Sequence, residues 1–286
     1  MFQNGLKDLP TIKLIETKRT RMSSESKSSF ISRETAHRLL RDVRDIIKNP
    51  LTDNGIYYHH DEEDMLKGYA YIVGPSDTPY FGGNYFFKFK YPSNYPFEPP
   101  KVTYMTNDGQ TRFNPNLYKC GKVCVSILNT WSGDKWSACQ TIRSVLITLC
   151  SLLNETPFLN EPGKTTSCAD YEPYQQSIIY KNLSFAVCDI MSQKEGSIPV
   201  PFILFWPFMR ENFLKNYDKM MEYVSSRENE KIMNYRVSIY DMNTQVNYAD
   251  LKRKLIDTRA FVETLSQTTD TDADTMEATE ETGKAA

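Results

Sequence analysis

From Ser32 onward, apolar residues recur at helical spacing: Ala36, Leu39, Leu40, Val43, Ile46 and Ile47. This predicts an amphipathic first helix with Ser32 as its N-cap and Pro50 beyond its end. Its outer face carries Arg33, Arg38, Arg41, Arg44 and Lys48. Three strands are expected next, at 67–74, 85–90 and 101–106, where Tyr, Phe, Val and Ile cluster between Gly- and Pro-rich turns. An antiparallel meander is the simplest way to join them. Tyr95-Pro96-Phe97-Glu98-Pro99-Pro100 is excluded from regular structure, because its prolines remove donors and restrict the residues before them. A second stripe of Ile142, Val145, Leu146, Leu149, Leu152 and Leu153 predicts a helix over about 141–154 that packs across the sheet. Further helical patterns lie near 173–191, 208–225 and 247–265, with Pro199, Pro201 and Pro207 breaking the chain between them.

This pattern divides the 286 residues into four expected parts. Residues 1–30 are Ser-rich and aperiodic, which predicts a disordered segment, followed by a core over 31–170. A helical extension over 171–267 and a disordered tail over 268–286, acidic and rich in Thr, complete the chain. Composition is ordinary for a folded protein, 40% hydrophobic and 24% charged, and a net charge of -2 argues against an electrostatic nucleic-acid binder. The longest apolar run, 199–208, holds three of the prolines just named and falls far short of the roughly 20 residues that span a bilayer. No membrane partner and no secretory leader are expected. The six cysteines form no paired framework, and Cys120 and Cys124 lack a second ligand pair, so no metal site is expected and a reducing compartment is the default.

One cysteine does stand in a chemically suggestive context. Cys124 lies on an apolar segment eight residues after Asn116, which closes an Asn114-Pro115-Asn116 turn. Most cysteine enzymes activate the thiol with a histidine, and His37, His59 and His60 are all far upstream. A cysteine that exchanges with an incoming thioester and passes the acyl group to an amine needs no dedicated histidine. It needs a donor for the tetrahedral oxyanion, and a side-chain carboxamide in a rigid turn supplies one.

Thr78-Pro79-Tyr80-Phe81-Gly82-Gly83, Tyr95-Pro96-Phe97-Glu98-Pro99-Pro100-Lys101, Asn114-Pro115-Asn116, the segment 121–128 and Trp136-Ser137 together resemble the ubiquitin-conjugating enzymes, in order and spacing, over roughly 32–163. Asn114 where most relatives have His, the longer loop 129–135 and the helical C-terminal extension point within that family to its Z branch. The resemblance implies an α+β fold: a four-stranded antiparallel sheet, an N-terminal helix and a crossover helix, here with a C-terminal helical extension. It implies that ubiquitin, or a ubiquitin-like modifier, is carried as a thioester on Cys124 and passed to substrate lysines. Asn116 would then serve the oxyanion and Glu161 would assist the attacking amine. By the same resemblance Ile147 faces the donor ubiquitin, Phe97 and Ala138 meet ligases, and Arg38 and Arg41 help dock the activating enzyme, of the Uba-six type if the branch holds. The upstream enzyme uses the ATP, so no cofactor is expected on this chain. Cytoplasmic and nuclear localisation is expected.

Plainer readings stand beside these: Cys124 as a structural thiol, Asn116 as a turn former, Glu161 as a surface acid, and the whole chain as an inactive ubiquitin-binding scaffold of the same fold. A cysteine hydrolase is disfavoured by the missing histidine. Ala138-Cys139 stands where the family usually has Pro-Ala, which removes a rigid residue from a ligase-facing loop.

Overall fold

The computed structural model describes residues 31–194 and 197–282, with side chains as far as Leu265. The segment expected to be disordered at 1–30 lies outside the described residues, as do the last four residues of the tail. Helix α1, Arg33–Lys48, is capped as the pattern predicts: the Ser32 hydroxyl accepts from the backbone N–H of Thr35 at 3.0 Å. Four antiparallel strands follow in sequential order: β1 Ile56–His60, β2 Lys67–Val73, β3 Asn84–Lys90 and β4 Lys101–Tyr104. The pattern had suggested three; β1 is the addition, an edge strand reading Ile-Tyr-Tyr-His-His without a clear alternation of apolar and polar residues. Helix α2, Ile142–Ser151, begins in a capping box formed by Thr141 and Ser144.

The two central strands are buried on both faces, which explains why they read as nearly continuous apolar runs. Ala70, Ile72, Tyr85, Phe87 and Phe89 point into a core with Leu39 and Ile46 of α1 and Ile142, Val145, Leu146 and Leu149 of α2. Tyr69, Tyr71 and Phe86 face the other way, into a second cluster built by the C-terminal extension. The extension is therefore a third layer packed on the sheet.

That layer begins with α3, Tyr171–Lys181, which widens into a π-helix over Asn182–Asp189 where the sequence pattern predicts one uniform helix. The chain there is keyed to the sheet. Asn84 Nδ2 donates to the Ala186 carbonyl at 2.8 Å, and Asn182 accepts from Tyr85 Oη at 2.7 Å while donating to the Phe81 carbonyl at 2.9 Å. A Cβ on Gly83 would lie 1.9 Å from Asn182 Oδ1, so only glycine permits this approach. Helix α4, Trp206–Ser226, has Pro207 in its first turn, where a missing N–H costs nothing; the proline read as a breaker opens the helix. A hairpin of β5 Met233–Val237 and β6 Met242–Val246 then lies between the last two expected helices, where the pattern places no element, and α5 spans Tyr248–Thr282. Its backbone is helical through most of the stretch where the sequence suggests a structureless tail, a stretch without Gly or Pro before Gly283.

Candidate active site

The Asn114-Pro115-Asn116 turn and the Cys124 segment are laced together by two reciprocal bonds. The Cys124 N–H donates to the Asn116 carbonyl at 2.8 Å, and Asn116 Nδ2 donates to the Cys124 carbonyl at 2.7 Å. The carboxamide is thus anchored on the peptide of the candidate nucleophile itself. Its Oδ1 is buried without a partner among the described residues, so nitrogen alone holds the group in place.

Asn114 organises the turn from beneath. It is fully buried, accepts from the Asn116 N–H at 2.9 Å, and donates to the Tyr80 hydroxyl at 2.9 Å and to the Leu152 carbonyl at 2.7 Å. Leu152 lies at the end of α2, where carbonyls lack intrahelical partners. Asn160 Nδ2 adds a second donor to that carbonyl at 3.1 Å. One acceptor and two donors are what this position demands; a neutral imidazole offers one of each, whereas a carboxamide meets the full set. Arg112 fastens the same turn from outside, donating to the carbonyls of Asn114 and Pro115, with its guanidinium 3.3 Å from the centroid of the Tyr118 ring.

The Cys124 side chain is covered, with the residue only 2% exposed. Its Sγ donates to the Thr130 carbonyl at 3.0 Å, so its partner is a loop peptide and not a histidine. Thr130 is itself stapled: its hydroxyl accepts from Val125 N–H at 2.9 Å and donates to the Val125 carbonyl at 3.0 Å. The loop 129–135 consequently closes over the thiol. His60 is half-buried and occupied in the sheet, facing the Tyr58 hydroxyl at 2.8 Å and the Met65 carbonyl at 2.9 Å, and burial pushes its protonation below the usual imidazole range despite that carbonyl.

Glu161 follows the 3₁₀ turn Pro157–Asn160 and precedes Pro162, and its Oε2 accepts from the Tyr240 hydroxyl at 2.9 Å. The same turn supplies Asn160, which ties it to Asn114, Leu152 and Asn154. Asn160 therefore ties the segment that carries Glu161 to the Asn114-Pro115-Asn116 turn.

The residues expected at partner surfaces divide. Ile147 stands out from α2 at 49% exposed, and Phe97 projects at 69% from the loop after the cis Tyr95-Pro96 bond. Trp136 braces that loop by donating Nε1–H to the Pro96 carbonyl at 2.7 Å. Ala138 is exposed, but its carbonyl receives Arg38 Nη1 at 2.7 Å, while Arg38 also donates to Gln140 at 2.6 Å and pairs with Asp42 at 2.9 Å. Arg38 is thereby committed as a strut between α1 and the loop before α2, with its side chain only 12% exposed. Arg41 remains open to a partner, alongside exposed His37, Leu40, Arg44 and Lys48.

Sequence reasoning missed Arg112, Thr130 and Tyr240. Arg112 and Thr130 carry no motif of their own, and Tyr240 lies in a hairpin whose only signal was the short alternation Met242, Thr244, Val246. Among the described residues no group of histidine, cysteine and acidic side chains could hold a metal ion, and no helix is long and apolar enough to cross a membrane.

The fold and site together define an α+β protein with a helix-flanked antiparallel sheet and a covered cysteine beside an asparagine turn, and comparison assigns the family. A family model described as ubiquitin-conjugating enzyme matches residues 38–182. The chain belongs to the ubiquitin-conjugating enzyme family. Within it, the likeness is to the E2 Z branch: the chain is 41% identical over 200 residues to ubiquitin-conjugating enzyme E2 Z of Danio rerio, covering 69% of this chain and 59% of that one. It is 45% identical over 184 residues to the human E2 Z, covering 63% of this chain and 50% of the other. The chain thus spans between half and three-fifths of the length of these relatives. Among solved structures, human ubiquitin-conjugating enzyme E2 G1 aligns with a TM-score of 0.38 at 29% identity, covering 44% of this chain and 98% of that one.

Proposed function

We propose that this chain is a ubiquitin-conjugating transferase in which Cys124 accepts ubiquitin, or a ubiquitin-like modifier, as a thioester from an activating enzyme and yields it to a substrate lysine. The observation that carries this reading is the reciprocal lacing of Asn116 and Cys124, which ties a carboxamide donor to the nucleophile's own peptide. In the transfer, the lysine nitrogen bonds to the thioester carbon, the C–S bond breaks, and its electron pair stays on Cys124 Sγ. The amine gives up one proton as it becomes an amide, and that proton passes to the Glu161 carboxylate and then to solvent. Asn116 meets the oxyanion with a carboxamide N–H.

No nucleotide or metal takes part on this chain, since the energy of the thioester is supplied upstream at the cost of ATP. Arg41 and its neighbours on α1 form the face offered to the activating enzyme, of the Uba-six type by relationship to the Z branch. Ile147 supports the donor modifier, and Phe97 with Ala138 faces ligases.

The test is a loading assay with activating enzyme, ATP and ubiquitin, resolved with and without reductant. An adduct that reductant removes and that Cys124→Ala does not form is the expected result. Absence of any adduct with either the common or the Uba-six type enzyme would overturn the carrier reading and favour a binding scaffold.

A further inference from the structure

The β5–β6 hairpin lies about eighty residues beyond the candidate acid in sequence, yet its tip reaches it: the Tyr240 hydroxyl donates to Glu161 Oε2 at 2.9 Å, across a separation of 79 residues. The tip is held on every side. The backbone N–H groups of Ser238 and Ile239 donate to the two oxygens of Asp170 at 2.9 and 3.0 Å. Lys119 Nζ donates to the carbonyls of Tyr240 and Asp241 at 3.1 and 3.3 Å. The Tyr240 ring packs on Tyr174 with centroids 5.4 Å apart, and the Arg112 guanidinium lies 5.3 Å from its centroid.

We infer that Tyr240 is a positioning residue for the transfer step, and that the tip of the C-terminal hairpin is a working part of the active site because it fixes where the Glu161 carboxylate points. This rests on the transferase reading above. A glutamate on a turn has three side-chain torsions to settle, and ordering such a side chain costs on the order of 1.5–2 kcal/mol of rotamer freedom. A rigidly mounted phenol removes that cost before the amine arrives. Burial, reinforced by the Glu161 carboxylate, pushes the Tyr240 phenol well above the ordinary tyrosine range, so it remains a donor throughout the working range of pH. Arg112 extends the effect, because it contacts the Tyr240 ring while donating to the Asn114 and Pro115 carbonyls. One hairpin tip thereby holds both the carboxylate and the oxyanion turn.

Tyr240→Phe keeps the ring and deletes the hydroxyl. The experiment loads wild type, Tyr240→Phe, Glu161→Ala and the double variant with ubiquitin, quenches loading, and follows discharge to free lysine across lysine concentration and pH. Loading and the KM for lysine are expected to be unchanged in Tyr240→Phe. The maximal discharge rate is expected to fall roughly 2- to 10-fold, the worth of one hydrogen bond, and its pH profile to shift toward that of Glu161→Ala. The double variant is expected to match Glu161→Ala alone. Asp170→Ala, which frees the tip without touching the phenol, should lower discharge in the same direction and provides the readout should the phenylalanine variant fail to fold. Discharge and pH profile equal to wild type in Tyr240→Phe, or independent losses that multiply in the double variant, would overturn the positioning role while leaving the carrier reading intact. A wild-type chain that forms no thioester overturns both.

Discussion

Thr130→Val tests the closed loop over the Cys124 thiol. The change keeps a β-branched side chain of nearly equal shape but deletes the hydroxyl that both accepts from Val125 N–H and donates to its carbonyl. Each such bond contributes about 0.5–1.5 kcal/mol, so the pair holds the loop shut by about 1–3 kcal/mol. At 1.4 kcal/mol per factor of ten, the open population should rise roughly 5- to 150-fold. Because the closed state leaves Cys124 2% exposed, with its thiol turned onto the Thr130 carbonyl, alkylation proceeds through the open state and should accelerate by the same factor. Iodoacetamide labelling read by peptide mass spectrometry separates the six thiols, and the exposed Cys120 and Cys139 serve as internal standards that should not change. Equal labelling rates at Cys124 in wild type and Thr130→Val, with both standards constant, would refute the claim that the Thr130 staple governs access to the thiol.

Asn116→Ala should slow discharge to lysine by on the order of a hundredfold, the usual cost of an oxyanion donor, while a gel of the loading step shows the adduct still forming. Asp108 is a partly buried acid: burial opposes its ionisation, but bonds from Thr111 and the Gln110 N–H, with Lys181 at 3.2 Å, outweigh it and hold its carboxyl below the ordinary range. Its charge therefore stabilises the fold above the unfolded-state pKa of about 3.9, and that contribution vanishes as pH falls through the lower folded value. Urea titrations should accordingly show Asp108→Asn destabilised at pH 7 and matching wild type once the acid is protonated in both states. Phe202→Ala removes a ring that is 1% exposed and packs on Phe86 at 4.9 Å and on Tyr69 at 5.6 Å, and should cost about 3–5 kcal/mol by equilibrium denaturation.

The elements with strong periodicity were legible from sequence. The Ser32 cap and the helices α1 and α2 appear where the pattern places them, because an amphipathic helix on a sheet writes its buried face into every third or fourth residue; in α1 that face is Leu39 and Ile46, while Leu40 and Ile47 of the expected row are exposed. Strand β1 and the hairpin were not, since an edge strand and a two-stranded ribbon each bury too little to impose a pattern. The site was half legible. Cys124 and Asn116 are close in sequence and Asn116 closes a distinctive turn, whereas the Tyr240 to Glu161 bond and the Arg112 bridge depend on the path of the chain through three layers. Arg38 shows the opposite failure: a helix-face arginine has the same sequence signature whether it meets solvent or, as here, two carbonyls and an aspartate.

The extension that covers the outer face of the sheet also decides the geography of recognition. With Tyr69, Tyr71 and Phe86 sealed beneath Leu183, Phe202 and Phe205, the broad strand surface is closed to visiting proteins. Among the described residues, the basic face of α1, the Phe97 loop, Ile147 on α2 and the hairpin tip stay exposed. On the proposed transferase reading, partners that arrive in succession would compete for a narrow circumference, so handing the modifier on would become a matter of taking turns.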